Sequence, residues 1–293
     1  MELHTALRSK VNLSDLGTKQ EHAVNQQHDL SPAEVYERYM SRSIADPWTR
    51  VLLDFAAPVL GERALDLACG TGSVARQLAP IVGTSGQVLA VDSNADMLEV
   101  GRRQTLPSGA SILWEQGNAV RLEIPDDAFD LVLCQQGLQF FPDRLASVRE
   151  MRRVLRKDGR AVISVWQGLD QHPVYDALFK TTARHLRVPL SNVDVAFSLS
   201  DPGELLLLLK NGGFQDVDLY PKTLLIQMPE PERFVQLSVL GAATSVPAFI
   251  ELDAAQRDAL INAVSTETLE VVQQFRVGNV LTLPMSTTIA VAR

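Results

Sequence analysis

A chain of 293 residues, 46% of them apolar, can bury a substantial core, as one large domain or as a core with a cap. A formal charge of −8, with no basic run beyond Arg102-Arg103 or Arg152-Arg153, argues against nucleic acid, whose phosphates call for a basic stripe. No apolar run reaches the length of a membrane span and no apolar signal region opens the chain, so a cytoplasmic protein is expected.

Residues 1–30 are polar, lack strong periodicity and read as mobile or loosely docked. Ser31-Pro32-Ala33-Glu34 has capping-box spacing, with proline in the first helical position. The helix it opens carries Tyr36, Tyr39 and Met40 on one face, and a second is expected near 47–59. Apolar runs predict strands near 62–68, 86–92, 110–116, 128–134 and 159–166, with helices near 73–81, 94–105 and 143–156 between them. That alternation implies right-handed crossovers and a parallel sheet. Beyond Trp166 the pattern changes. Helices are expected near 173–187 and 202–211, a strand or strand pair between Asp216 and Gln227, helices near 230–241 and 252–274, and a last strand near 281–292. The expected organisation is an N-terminal segment with cap helices (1–60), a binding core (61–167), a cap insertion (168–200), more core (201–228), a helical insertion (229–276) and a final strand (277–293).

The first strand carries an acid, Asp66, and runs into a turn built from Gly70 and Gly72, with a helix directly after. Glycine permits the tight turn and lets backbone N–H groups approach a ligand. Asp92 closes the next strand, 20 residues beyond Gly72, where an acid can accept both hydroxyls of a ribose. A nucleoside therefore sits across the carboxyl ends of the strands. The spacing Gly70-x-Gly72-x-x-Ala75 with Asp92 also satisfies a dinucleotide fingerprint. Asp66 argues against that, because a pyrophosphate at this turn would meet its negative charge, whereas an amino-acid moiety with an ammonium group fits. Cys69 and Cys134, each at the carboxyl end of a central strand, read as reduced, buried thiols.

The ordered blocks Leu65 to Gly72, Cys134 to Asp143 and Glu150 to Gly159 resemble the class I S-adenosylmethionine-dependent methyltransferases. The likeness spans about Tyr36 to Val217 and is strongest to the small-molecule group with the ubiquinone and menaquinone C-methyltransferases and natural-product methyltransferases. It implies a Rossmann-like α/β fold: a seven-stranded, mostly parallel sheet with helices on both faces and a helical substrate cap. The implied cofactor is S-adenosyl-L-methionine and the implied partner a small-molecule acceptor.

The resemblance also distributes roles. Asp92 would hold the ribose, with Ser93 and Met97 touching adenine. Asn118 stands where the family usually has an aspartate accepting from the adenine amino group, and Ala119 offers the neighbouring N–H. Ala68, Gly70 and Gly72 would back the amino-acid portion, with Asp66 ordering the turn or reaching the ammonium through a water. Tyr36 resembles the tyrosine that closes over the methionyl carboxylate. Gln135 is expected to touch cofactor, and Tyr39, Gln136 and Gln139 the acceptor.

Methyl transfer from a sulfonium is an in-line displacement that needs mainly alignment and exclusion of water. A general base is required only for an acceptor that loses a proton. His172, just after the fifth strand, is the candidate by position, with a surface or capping role as the alternative. No metal is implied, since Asp126-Asp127 reads as a solvent turn. A cofactor-bound cyclisation and a nicotinamide-dependent oxidation are the alternative functions, and the acceptor atom and oligomeric state stay open.

Overall fold

Ser31 opens the first helix as its spacing predicts. Its Oγ accepts from the Glu34 N–H at 3.3 Å, and Glu34 Oε2 accepts from the Ser31 N–H at 2.8 Å. The computed structural model describes residues 31–243 and 246–293, so the expected looseness of residues 1–30 lies outside the described residues. Helix α1 (Pro32–Val35) passes without a break into a π-helical stretch, Tyr36–Ala45, and then into α2 (Asp46–Ala56). These three form one N-terminal arm. Ala57, with φ +44°, turns the chain out of it. Ten consecutive π-helical residues are unusual, because such winding mostly occurs as single-turn bulges near functional sites.

The core follows as β1 (Arg63–Leu67), α3 (Ser73–Val82), β2 (Gln87–Asp92), α4 (Ala95–Arg103), β3 (Ile112–Gln116), β4 (Phe129–Gln135), α5 (Arg144–Val154) and β5 (Leu155–Trp166). Beyond it come α6 (Pro173–Leu186), α7 (Pro202–Asn211), β6 (Val217–Pro229), α8 (Pro231–Ala243), α9 (Pro247–Ile250), α10 (Ala254–Gln274), β7 (Arg276–Val277) and β8 (Val280–Ala292). Strand order is β3-β2-β1-β4-β5-β8-β6, with β1 to β5 parallel and β8 antiparallel between β5 and β6. The expected seven strands become eight because the two-residue β7 folds back on β8. β5 starts earlier than expected, since Leu155 pairs with Phe129 ahead of a bulge.

Two cores line the sheet. Leu52, Leu78, Val88 and Leu131 pack on the face covered by the arm and α3; Val132, Met151, Leu205 and Phe214 pack on the face of α5 and α7. A third, aromatic cluster sits beyond them. β8 pairs with β5 only through Thr287 to Ala292, whereas its ladder with β6 continues to Val280 and Pro229. Residues 223–229 and 280–286 therefore project as a two-stranded ribbon past the carboxyl end of β5. On that ribbon α6, α8 and α10 gather Trp48, Trp166, Tyr175, Phe179, Phe197 and Phe234 around Met228 and Met285. Among the described residues, no helix is long and apolar enough to cross a membrane.

Candidate cofactor and acceptor site

The turn after β1 is left-handed at three residues, with φ +57° at Ala68, +54° at Gly70 and +84° at Gly72. Gly72 is required for space as well, since a Cβ there would lie 2.2 Å from Cη2 of Trp114 on β3. Gly72 thus serves the seating of that indole in addition to the turn. Asp66, 1% exposed, accepts from the Ala75 N–H at 2.9 Å and ties the first turn of α3 to β1. Burial pushes its carboxyl up to about 7. Of the two parts expected of Asp66, ordering the turn is the one its bonds display.

Asp92 closes β2 half-buried. Its Oδ2 accepts from the Gly70 N–H and its Oδ1 from the Asn94 N–H, both at 2.8 Å. A carboxylate offers about four acceptor sites, so two remain for hydroxyls. Ser93 is exposed and Met97 half-buried beside it, on the first turn of α4. Asn118 is exposed, and its Oδ1 accepts from the Val120 N–H at 3.1 Å in a turn closed by the Arg121 N–H. Ala119 lies half-buried in the same turn.

The arm brings Tyr36 over this turn: a Cβ on Gly70 would be 3.9 Å from Cε1 of the ring. Burial, followed by the charges of Glu37, Asp92, Asp46 and Asp66, pushes the Tyr36 hydroxyl up to about 12. Asp92 and Asp46 leave this corner electronegative, with Asp66 buried beneath them. Glu37 is paired with Arg76 at 3.1 Å, and Arg76 also donates to the Thr71 carbonyl.

The acceptor-side residues are arranged differently from expectation. Gln135 turns its amide into the arm, Nε2 donating to the Ala45 carbonyl at 3.0 Å and Oε1 accepting from Thr49 Oγ1 at 3.0 Å. Gln136, with φ +53°, donates from Nε2 to Thr287 Oγ1 at 2.6 Å. Gln139 is 2% exposed, its Nε2 lies 3.5 Å from Gln136 Oε1, and its own Oε1 has no protein partner. Tyr39 is buried, accepts from Arg233 at its hydroxyl and lies under the guanidinium groups of Arg233 and Arg38, at 4.8 and 5.3 Å from its ring centre. It joins the arm to α8 rather than facing an open pocket.

His172 departs most from its expected place. It is 1% exposed, between Phe197 and Trp166. Nδ1 lies 2.9 Å from the Gly168 carbonyl and Nε2 accepts from the Ser286 N–H at 2.9 Å, so in this arrangement neither nitrogen is available to a substrate proton. Burial also lowers its pKa. His172 stands at the N-cap position of α6 but its ring makes no cap bond, and it serves instead as a buried bridge from the Gly168 carbonyl to β8.

Sequence reasoning missed Asp46, Thr49 and Ser73, which link the arm to α3 and β4. Asp46 and Thr49 lie on α2 and Ser73 opens α3, where nothing local marks them as partners. Several buried polar atoms on this side lack protein partners: Ser41 Oγ, Trp48 Nε1, Thr71 Oγ1, Gln139 Oε1 and Ser164 Oγ. An unmet buried polar group costs about 1–3 kcal/mol, so their gathering on the arm, the turn and the ends of β4 and β5 fits a ligand there. An open cleft of about 570 Å³ lies beside the arm, lined by Asp46, Arg50, Ser73, Arg76 and Gln77, and one of about 370 Å³ lies at the amino ends of β1, β2 and β4. Among the described residues, no three acids, histidines or cysteines cluster as a metal site.

This strand order, with a glycine turn after β1 and an acid ending β2, defines the class I methyltransferase fold. Residues 23–186 match the model of the ubiE/COQ5 methyltransferase family, and the chain belongs to that family. It is 38% identical over 135 residues to the 2-phytyl-1,4-naphtoquinone methyltransferase of Synechococcus elongatus, covering 45% of this chain and 56% of that protein. It is 34% identical over 173 residues to the ubiquinone/menaquinone biosynthesis C-methyltransferase UbiE of Coxiella burnetii, covering 55% and 69%. A UbiE from Hahella chejuensis is 40% identical over 126 residues, covering 42% and 51%. The chain thus spans about half the length of the first and third of these relatives. Among solved structures it resembles the [4+2]-cyclase SpnF, with TM-score 0.54, 18% identity and coverage of 85% and 81%. It also resembles the YcgJ protein of Bacillus subtilis, with TM-score 0.52, 19% identity and coverage of 83% and 96%.

Proposed function

We propose that this chain transfers a methyl group from S-adenosylmethionine to a small, hydrophobic, ring-bearing acceptor of the quinone type. The electronegative corner around Tyr36 carries the reading. Asp46 and Asp92 converge there on the glycine turn, which suits a cationic sulfonium and ammonium and opposes the pyrophosphate of a dinucleotide. The buried polar atoms without partners on the arm and turn fit the same ligand.

Tyr36, Ala68, Gly70 and Gly72 would hold the amino-acid portion, Asp92 the ribose, and Ser93, Met97, Asn118 and Ala119 the adenine. When bound, the cofactor supplies a methyl group already activated for displacement. The chain's own work is alignment. The arm covers the turn and excludes water, while the aromatic cluster under α6, α8 and α10 acts as a cap that orients a flat apolar acceptor. Gln136 and Gln139 supply the polar end of that acceptor site. Orientation of this kind provides effective molarities of about 10⁵–10⁸ M. The quinone acceptors printed in the relatives' names support the ring class.

The test is calorimetry with S-adenosylmethionine and NADH, followed by assays for S-adenosylhomocysteine with a panel of reduced naphthoquinones and benzoquinones. Methylated ring product is the expected result. Tight cofactor binding with no S-adenosylhomocysteine from any acceptor would instead favour a non-methylating reaction, and preference for NADH would overturn the reading.

A further inference from the structure

The N-terminal arm is pinned to the core at both ends of its π-helical stretch. At Tyr36–Glu37 the pin is the Glu37–Arg76 pair, half-closed over the Thr71 carbonyl. At Ala45–Thr49 it is a side-chain network. Thr49 Oγ1 lies 2.9 Å from Ser73 Oγ, 3.0 Å from Gln135 Oε1 and 2.9 Å from the Ala45 carbonyl. Ser73 Oγ donates to Asp46 Oδ1 at 2.5 Å, and Gln77 Nε2 approaches Asp46 and Ser73 at 3.2–3.4 Å. Thr49 and Ser73 are fully or nearly fully buried.

Three elements meet in this network. α2 contributes Asp46 and Thr49, α3 contributes Ser73 and Gln77, and the end of β4 contributes Gln135. Ser73 directly follows Gly72, the last residue of the glycine turn, and Gln135 precedes the strained Gln136. This network fixes the far end of the stretch that lays Tyr36 over Gly70, while the Glu37–Arg76 pair fixes the near end. Both ends of the Gln135 amide are engaged by the arm, one N–H on the Ala45 carbonyl and one lone pair of Oε1 beside Thr49 Oγ1, so the arm sets its orientation.

We propose that Gln135 is a positioning residue: through Thr49 and Ser73 it fixes the arm over the glycine turn and so shapes the cofactor site without touching the cofactor. This rests on the function proposed above. A buried polar network acts as a unit, so removing one member loosens the others, and double-mutant cycles reveal it.

The experiment measures S-adenosylhomocysteine affinity by calorimetry, KM and kcat, and amide exchange over residues 36–56, in Thr49→Val, Thr49→Ser, Gln135→Leu and the double variant Thr49→Val/Gln135→Leu. Thr49→Val and Gln135→Leu should each weaken binding about tenfold and raise KM for S-adenosylmethionine with little change in kcat. Exchange in the arm should accelerate while β1 to β5 stay protected, Thr49→Ser should retain wild-type affinity, and the double variant should be no worse than either single one. Additive losses, or a loss confined to Gln135→Leu, would show direct contact and overturn the proposal. So would unchanged affinity in Thr49→Val. Wild-type protein that binds no S-adenosylhomocysteine would overturn the proposed function itself, which is a different result from wild-type binding with insensitive variants.

Discussion

Ala68 and Gly137 face each other so closely that a Cβ on Gly137 would lie 2.7 Å from that of Ala68 and 3.0 Å from Sγ of Cys134. This contact joins the turn after β1 to the segment after β4, the two pieces of backbone between which cofactor and acceptor would meet. The methyl at position 68 and the missing one at 137 depend on each other.

Gly137→Ala should therefore destabilise the protein by about 1–3 kcal/mol, the usual range for overpacking. Ala68→Gly should raise stability by about 1 kcal/mol, because a left-handed alanine is strained. Combined, the two changes should partly cancel, leaving the Cys134 contact. Urea unfolding of the single and double variants measures the coupling, and strictly additive values would mean that the loops relax apart.

Asp92→Ala should weaken S-adenosylmethionine binding at least tenfold, which is about 1.4 kcal/mol. The change removes the acceptor proposed for two hydroxyls and frees the Gly70 and Asn94 N–H groups. Calorimetry on folded variant with unchanged affinity would remove the ribose from this position.

Asp66 should make stability depend on pH in an unusual sense for an acid. Its folded pKa rises from 3.8 to about 7, so the folded state holds the proton where the unfolded state has released it. The contribution is complete below about pH 4 and is lost as pH climbs towards 7, with a slope of up to about 1.4 kcal/mol per unit. Asp66→Asn should abolish that part of the slope. Unfolding free energies of both proteins at pH 5, 6 and 7 that run parallel would show that Asp66 does not titrate there.

His172→Ala should act on stability. It leaves the Ser286 N–H unpaired in the interior, at a cost of about 1–3 kcal/mol, while the pH–rate profile of the folded enzyme keeps its shape. Because burial lowers its pKa, His172 contributes stability above its unfolded pKa of about 6.5 that is lost as pH falls. A hundredfold fall in maximal rate at full stability would restore it as a general base.

The parallel core was legible because each buried strand is an apolar run between turn signals, and the glycine turn with Asp92 is a local pattern. The π-helical arm was not, since Tyr36, Tyr39 and Met40 mark a helical face without distinguishing its winding over so short a span. Nor could position reveal that His172 is roofed by Phe197 and Trp166, or that Gln135 bonds to residues 86 and 90 positions away. Such contacts exist only once distant elements have packed. The early start of β5 has the same origin: Leu155 is a strand residue only through its pairing with Phe129, with residues 156–159 bulging before the ladder resumes at Arg160.

The projecting β6–β8 ribbon gives the proposed cap the mechanics of a cantilever. A hinged lid swings about one or two torsions, but a beam hydrogen-bonded at every rung shares deformation along its length and answers by twisting. The arm, by contrast, meets the sheet through buried side chains, Leu52 and Ala56 among them, and shares no strand ladder with it.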